Sequence, residues 1–300
     1  EINIGDWSSD VCSSDLGDDV VNTQKNVSES LEIVVKTDPG MVRGHNEDAV
    51  LANPNLGLAI LADGMGGYNA GEVASGMATT LLATELESAF ATTPPHAIDQ
   101  ASGKSYAHVY LRDKIVVTNR AIHHASESQA QYSGMGTTLV AALFHSDQVT
   151  VAHIGDSRLY RLRGGELSVI TRDHSLLQEQ IDSGLISADE ARFSLNKNLV
   201  TRAIGVDPEV DAEIHDYAVL PGDIYLLCSD GLNDMVEDDE IRLTLQTLAA
   251  NLDLAAKQLI QMANDNGGRD NVSVILVKVL RAFPAVRDGW PSMFAWFKAH

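Results

Sequence analysis

Five short acidic motifs punctuate this chain, and most of them stand beside a strongly apolar run: Arg43-Gly44-His45-Asn46-Glu47-Asp48, Asp63-Gly64-Met65-Gly66-Gly67, Gly155-Asp156-Ser157-Arg158, Ser229-Asp230-Gly231 and Arg269-Asp270-Asn271. Asp63, Asp156 and Asp230 follow the runs ending at Ala62, Ile154 and Cys228 by at most two residues, Asp48 precedes such a run, and Asp270 nearly abuts another. A carboxylate at the end of a buried strand is costly unless something pairs with it. A fold that gathers several such ends needs compensating positive charge, and hard cations held by oxygen ligands would supply it.

The composition narrows where that charge can come from. With 300 residues and 44% hydrophobic content, the chain can bury a sizeable core as one large domain or two small ones. Only 21 basic residues face 42 acidic ones, a formal charge of -21, which argues against nucleic acid because backbone binding needs clustered Lys and Arg. Most of the acidic excess serves solubility, and only a handful of carboxylates concern a metal. No apolar stretch approaches the roughly 20 residues of a membrane span, and the first residues lack the basic and apolar sections of a signal peptide, so a cytoplasmic location is the expectation. Cys12 and Cys228 form neither a disulfide framework nor a zinc pair; Cys228, inside Ile224-Tyr225-Leu226-Leu227-Cys228, reads as a small buried hydrophobe.

Residues 1–30 are polar and without periodicity, with no initiating Met, and read as a disordered or non-native segment. The periodicity then predicts strands at Ile33 to Lys36, Ala49 to Ala52 and Leu58 to Ala62, a helix from the Gly66-Gly67 loop to about Phe90, and a second from about Val109 to Ser126. A meander follows with strands at Thr138 to Phe144, Val149 to Ile154, Arg158 to Arg163 and Glu166 to Ile170, Gly164-Gly165 making a two-residue hairpin turn. The stretch from Ser175 to Leu199 reads as an insertion of two short helices, the first ending at Gly184 and the second opened by the capping box Ser187-Ala188-Asp189-Glu190. Ile224 to Cys228 and Val272 to Leu280 are strands, with two amphipathic helices across about Asp239 to Ala263. Strands interleaved with pairs of long helices suggest two packed sheets covered by helices. The tail from 282 to 300 carries Trp290, Phe294, Trp296 and Phe297, read as packing on the domain rather than as a partner or membrane contact.

Taken one at a time, the motifs have plainer explanations. Asp-Gly pairs form turns, Asp156 and Asp270 could cap loops, and Arg43 could sit in a surface ion pair. Gly66 and Gly67 either turn the chain into the next helix or let backbone pass close to a metal shell. The joint pattern is harder to dismiss, because strands aligned in two packed sheets could bring these carboxylates together at one end.

In this order, and with Ser133-Gly134-Met135-Gly136-Thr137-Thr138 and Thr171-Arg172-Asp173-His174-Ser175 between them, the motifs resemble the metal-dependent serine/threonine protein phosphatases of type 2C, the PPM family, in its compact bacterial form. Several short motifs in the right order are far more specific than any one. The resemblance covers about Ile33 to Leu280 and implies an α+β fold, a four-layer α/β/β/α sandwich of two mainly antiparallel sheets, as a catalytic domain over 31–281. It implies a centre of two Mn2+ or Mg2+ ions, with a third in bacterial members. Asp63 resembles the carboxylate bridging both ions; Asp230 and Asp270 would complete the first ion's shell, and the Gly64 carbonyl and Asp48, with Glu47, would serve the second. Asp156 resembles the acid that holds the third ion with Asp230. Arg43 would orient the substrate phosphate through its planar fork. Oxygen donors suit Mg2+ and Mn2+ better than Zn2+.

The activity so implied is hydrolysis of phosphoserine and phosphothreonine in phosphoprotein substrates, in signal transduction opposite a cognate bacterial-type serine/threonine kinase. Met65 stands where many eukaryotic members carry a His able to protonate the leaving oxygen, so the proton must come from elsewhere; His45 and His174 are remote candidates. The 175–199 insertion resembles a flap beside the active site that would govern access. Two other readings compete: a same-fold phosphatase for a small phosphate ester or a dedicated regulator, and a catalytically silent interaction domain, which the full set of acids disfavours.

Overall fold

The apolar runs pair antiparallel into two sheets, as seen in a computed structural model that describes residues 27–67, 70–187, 190 and 199–283. One sheet has the order β1 (Leu31–Asp38), β11 (Val272–Val279), β10 (Ile224–Cys228), β7 (Arg158–Arg163), β8 (Glu166–Val169). The other runs β2 (Asp48–Asn53), β3 (Leu58–Met65), β5 (Leu139–His145), β6 (Gln148–Ile154), β9 (Glu213–Ala218), with the two-residue β4 (Gly136–Thr137) pairing onto the end of β3.

These strands read as unbroken apolar runs because both of their faces are buried. In β3, Leu58, Ile60 and Ala62 face one core while Ala59 and Leu61 face another, the two-residue alternation of a strand. The first core is completed by α1 (Ala70–Phe90) and α2 (Tyr106–Ser128). Residues Ala70, Ala74, Ala78, Leu82, Leu86 and Phe90 give α1 a buried stripe at four-residue spacing. The second core lies between the sheets, where Phe144 meets Tyr225 edge to face with centroids 5.2 Å apart. A third core packs α4 (Asp230–Asn233), α5 (Asp238–Thr247) and α6 (Leu252–Asp265) onto the outer faces of β10 and β11. The result is the expected α/β/β/α sandwich, and Cys228 is fully buried in it.

Several details depart from the pattern read in sequence. The strand β9, Glu-Ile-His-Asp-Tyr-Ala, has mixed polarity because it lies at a sheet edge with half its residues in solvent. β3 runs on through Asp63 to Met65, so Asp63 lies inside a strand rather than after one. Asp230-Gly231, a turn by composition, opens the helix α4 with Ser229 as its N-cap residue. α2 starts at Tyr106, where the Ser105 hydroxyl accepts the His108 N–H at 3.2 Å.

The predicted insertion begins with α3 (Leu176–Asp182), capped by Ser175. Its two ends are fastened together: Ser175 pairs with Val200, Leu176 N–H donates to the Leu199 carbonyl at 2.9 Å, and Thr201 N–H donates to the His174 carbonyl at 2.8 Å. Both reciprocal bonds of the Ser187–Glu190 capping box are formed, while the rest of the second predicted helix lies outside the described residues. The N-terminal segment up to 26 and the tail aromatics from Trp290 lie outside them too. Val27 and Phe283, near the two limits, are buried in the core between the sheets.

Phe144 tests that core. Replacing it by Ala should cost roughly 3–5 kcal/mol of unfolding free energy by urea titration, the range for a fully buried aromatic.

Candidate metal centre

Strand register brings the first two acids face to face: Asp48 at the start of β2 is the direct cross-strand partner of Asp63 in β3. Like charges in that position destabilise a sheet, so their surroundings matter. Thr138, between β4 and β5, fixes Asp63, its hydroxyl accepting the Asp63 N–H at 3.0 Å and its own N–H donating to the Asp63 carbonyl at 2.9 Å. The same Thr138 hydroxyl lies 2.8 Å from the Ser157 hydroxyl, which ties the Asp156 loop to Asp63. Between them Gly155 takes φ +102°, and a Cβ there would lie 2.6 Å from Thr138 Cγ2, so the loop needs glycine on two grounds. Asp230 arrives in the first turn of α4. The preceding Ser229 donates its hydroxyl to Asp48 Oδ2 at 2.8 Å and accepts the Ser273 N–H at 3.0 Å.

The segment bearing Arg43, Glu47 and Asp48 is laced to the loop bearing Asp270 by one buried side chain. Asn271 accepts the Glu47 N–H at 2.8 Å through Oδ1, and through Nδ2 donates to the Pro39 and His45 carbonyls at 3.0 and 2.9 Å. Its three bonds fix both ends of the Arg43 turn. Arg43 donates from Nη2 to Asp270 Oδ2 at 2.7 Å. Gly64 and Gly71 complete the assembly by absence of bulk: a Cβ on Gly64 would run into the Gly71 carbonyl, and one on Gly71 would lie 2.9 Å from Glu47 Oε1. Glu47 can therefore sit against the first turn of α1, and Gly64 N–H reaches its carbonyl at 3.1 Å.

The electrostatics of this end are those of a buried acid cluster. Burial, and then the charges of Asp48, Asp230, Asp156 and Asp270, hold the Asp63 carboxyl well above its ordinary range. Asp230 is held high by burial and then by Asp156, Asp234, Asp270 and Asp48. Burial pushes Asp48 up to about 6, and burial with the nearby Asp173 does the same to Asp156. Glu47 is raised by burial, against the pull of Arg43. Asp48 Oδ1 is buried with no hydrogen-bond partner. The Asp48–Asp63 pairing, the Ser229 bond to Asp48 and the repulsion these acids exert on one another place Asp48, Asp63, Asp156, Asp230 and Asp270 together. Their carboxylates and the adjacent Gly64 carbonyl form an all-oxygen donor set with a buried oxygen unpaired, which fits hard divalent cations such as Mg2+ or Mn2+.

Some participants escape a reading of the sequence. Asp234, four residues after Asp230 and so on the same face of a helix, raises both Asp230 and Asp156; its spacing was the available signal. Asn271, Ser229 and Thr138 act through hydrogen bonds across 224, 181 and 75 residues of separation, for which sequence offers no signal. His174 turns elsewhere. It accepts the Gly155 N–H on Nδ1 at 3.2 Å, so its neutral ring carries the proton on Nε2, 3.2 Å from Glu213 Oε1. His153 stacks on it with centroids 4.8 Å apart and bonds the Arg172 carbonyl. His153, His174 and Glu213 lie close enough to suggest a second metal site, but a His174 ring with both nitrogens so engaged has no lone pair to give a cation. The trio is a hydrogen-bonded clamp between β6, β9 and the root of the insertion.

Comparison with known proteins places this geometry. A family model described as Protein phosphatase 2C matches residues 43–276. The chain is 39% identical over 246 residues to the serine/threonine phosphatase stp of Listeria welshimeri, covering 81% of this chain and 94% of that protein. It superposes on the crystal structure of the Mycobacterium tuberculosis serine/threonine phosphatase PstP/Ppp with TM-score 0.74 at 37% identity, covering 84% of this chain and 99% of that one. The catalytic domain of PstP in complex with two manganese ions superposes with TM-score 0.71 at 38% identity, covering 83% and 98%.

Asn271→Ala should weaken Mn2+ binding, read by titration calorimetry, about 10- to 100-fold, the range for residues that orient ligands. Unchanged Mn2+ affinity would show that the Asn271 bonds hold the loops without setting the ligands.

Proposed function

The chain belongs to the protein phosphatase 2C family, and from that premise we propose how its residues divide the work of a metal-dependent serine/threonine protein phosphatase. The observation that carries the reading is the convergence of Asp48, Asp63, Asp156, Asp230 and Asp270 beside Arg43.

In this reading Asp63, central among the repelling charges, would be shared by two ions of Mn2+ or Mg2+. Asp230 and Asp270 would help to hold one, and the Gly64 carbonyl with Asp48 and Glu47 the other. Asp156 with Asp230 would hold a third, and the charge of Asp234 beside them would make that pocket more attractive to a cation. Bound there, the cations would generate a nucleophilic water at neutral pH and offset the charge of the phosphoryl group. The remaining steps belong to the protein. Arg43 is half exposed and gives one N–H to Asp270, so the rest of its fork can take phosphate oxygens in two parallel bonds while Asp270 holds the guanidinium in place. Thr138 and Asn271 keep the carboxylates and the arginine in register, which favours reaction because phosphoryl transfer is almost wholly a matter of position and electrostatics.

Met65 carries no transferable proton, and His174 commits its Nε2 to Glu213, so neither protonates the leaving oxygen. We assign that proton to a water in the cleft, with His45 as the remaining histidine alternative. We assign the catalytic domain to 31–281 and give the insertion rooted at Ser175 and Val200 the role of a flap that governs access. The substrates are phosphoproteins made by a serine/threonine kinase of a signalling system, placed in the cytoplasm, where Mg2+ is abundant.

Phosphate release from a phosphothreonine peptide and from a generic aryl phosphate should require Mn2+ or Mg2+ and vanish with chelator, and Asp63→Asn should abolish both. Turnover of the aryl ester alone would favour a small-molecule phosphatase, and an Asp63→Asn variant as active as the parent would sink the metal mechanism. Arg43→Lys should lower kcat/KM for the aryl phosphate by roughly 10- to 100-fold, the worth of one or two charge-assisted hydrogen bonds. Most of that loss should appear in KM, because Lys keeps the charge and loses the fork.

A further inference from the structure

Directly before Arg43 the chain presents two large apolar side chains to solvent, Met41 and Val42, 69% and 68% exposed. Exposed Met or Val is ordinary when it sits on a mobile loop or is scattered singly. These two are adjacent and sit on fixed backbone. The Met41 and Val42 N–H groups both donate to the Gly268 carbonyl, at 2.8 and 3.2 Å. Before them Gly40 N–H donates to Asp38 Oδ1 at 2.9 Å, and Asn264 braces the same oxygen at 3.1 Å. The Pro39 carbonyl is held by Asn271. Gly268 permits this closeness: a Cβ there would lie 2.7 Å from Met41 Cγ and 2.8 Å from Met41 N. The turn is thus locked onto the loop that carries Asp270, with no charged side chain between Pro39 and Arg43.

We propose that Met41 and Val42 form a rigid apolar step that receives an apolar side chain of the substrate within two residues of the phosphoserine or phosphothreonine. The inference rests on the phosphatase reading above, in which Arg43 takes the phosphate. Consecutive Cα atoms are about 3.8 Å apart in enzyme and substrate alike. A peptide whose phosphate lies on Arg43 therefore has its neighbouring residues within the same reach as the first and second residues before Arg43. Continuity with the phosphate site selects a substrate side chain as the occupant. The chemistry of the step selects an apolar one: it offers methyl and thioether surface to be covered and no charge to pair. Its rigidity means that little ordering entropy is lost on contact. A phosphatase with this step discriminates among phosphoproteins by the residue flanking the phosphate, a selectivity that an aryl phosphate cannot report.

Two phosphothreonine peptides, identical except for Leu or Asn on both sides of the phosphothreonine, test the step on the full chain with saturating Mn2+. The parent should hydrolyse the Leu peptide with kcat/KM about tenfold above the Asn peptide, the usual yield of a small apolar contact. In Met41→Ser/Val42→Ser the ratio should fall to within about twofold, and Met41→Leu/Val42→Ile should restore it. Because each ratio is taken on one preparation, a partly folded variant cannot imitate the loss; Val42→Ser alone, expected to lie between, stands in if the double variant fails to fold. Equal rates for the two peptides in the parent, or an undiminished ratio in the Ser variants, overturns the step while leaving the phosphatase reading intact. Hydrolysis of neither peptide overturns the phosphatase reading on which the step rests. Dimerisation of the parent that Met41→Ser/Val42→Ser abolishes, with the peptide ratio unchanged, assigns the surface to a second copy of the chain and overturns the proposal.

Discussion

Carboxylates of one sign buried against one another are the constraint on which this structure turns. Asp48 and Asp63 are opposed across two strands, and Asp156 and Asp230 stand close enough to raise Asp63 further. Such an arrangement is unstable by itself. Among the described residues no lysine or ring of arginines relieves it by hydrogen bonding, which would satisfy the acids and close the site to divalent cations. The chain holds them instead with neutral donors and acceptors: the hydroxyls of Thr138 and Ser229 and the amide of Asn271. Neutral groups fix position without cancelling charge. Among the described residues, the arginine that hydrogen-bonds one of these acids is Arg43, on Asp270 at the more exposed margin.

The sandwich makes this possible by being over-determined elsewhere. Three separate cores bury both faces of both sheets and the inner faces of the helices. At about 25 cal/mol per Å2 of buried apolar area, such packing outweighs a strained end. The strands deliver their ends to a common edge, and glycines 64, 71 and 155 let the backbone pass close to its neighbours where any side chain would intrude. Fold and site are thus coupled in one direction. The cores tolerate the acids, and the acids contribute nothing to the cores.

Much of this was legible in the chain itself. The buried strands announced themselves as unbroken apolar runs, and the acids at their ends were visible as repeated breaks in that pattern. The order of the motifs then pointed to a family, and the family to the layers of the sandwich. What could not be read falls into two kinds. Edge strand β9 escaped because Glu213 to Ala218 is half solvated and has no apolar run. Asn271, Ser229 and Thr138 escaped because their partners lie far away in sequence, and a polar residue in a loop looks the same whether or not it holds a distant segment. Asp234 lay between these cases: its four-residue spacing from Asp230 is plain once Asp230-Gly231 is seen to open a helix rather than a turn.

The fastening at the root of the insertion has a consequence for how such enzymes diverge. Ser175 and Val200 pair, Leu176 and Leu199 bond, and His174 ties the junction to Gly155, so the described ends of the stretch between them close into a neck. Chain length beyond a closed neck is cheap, since doubling a loop adds only about 0.6 kcal/mol of closure entropy. The neck works as a socket: lineages can exchange, lengthen or shorten what is plugged into it while the acids on the other side of Gly155 stay in place, and new clientele can evolve without re-evolving the chemistry.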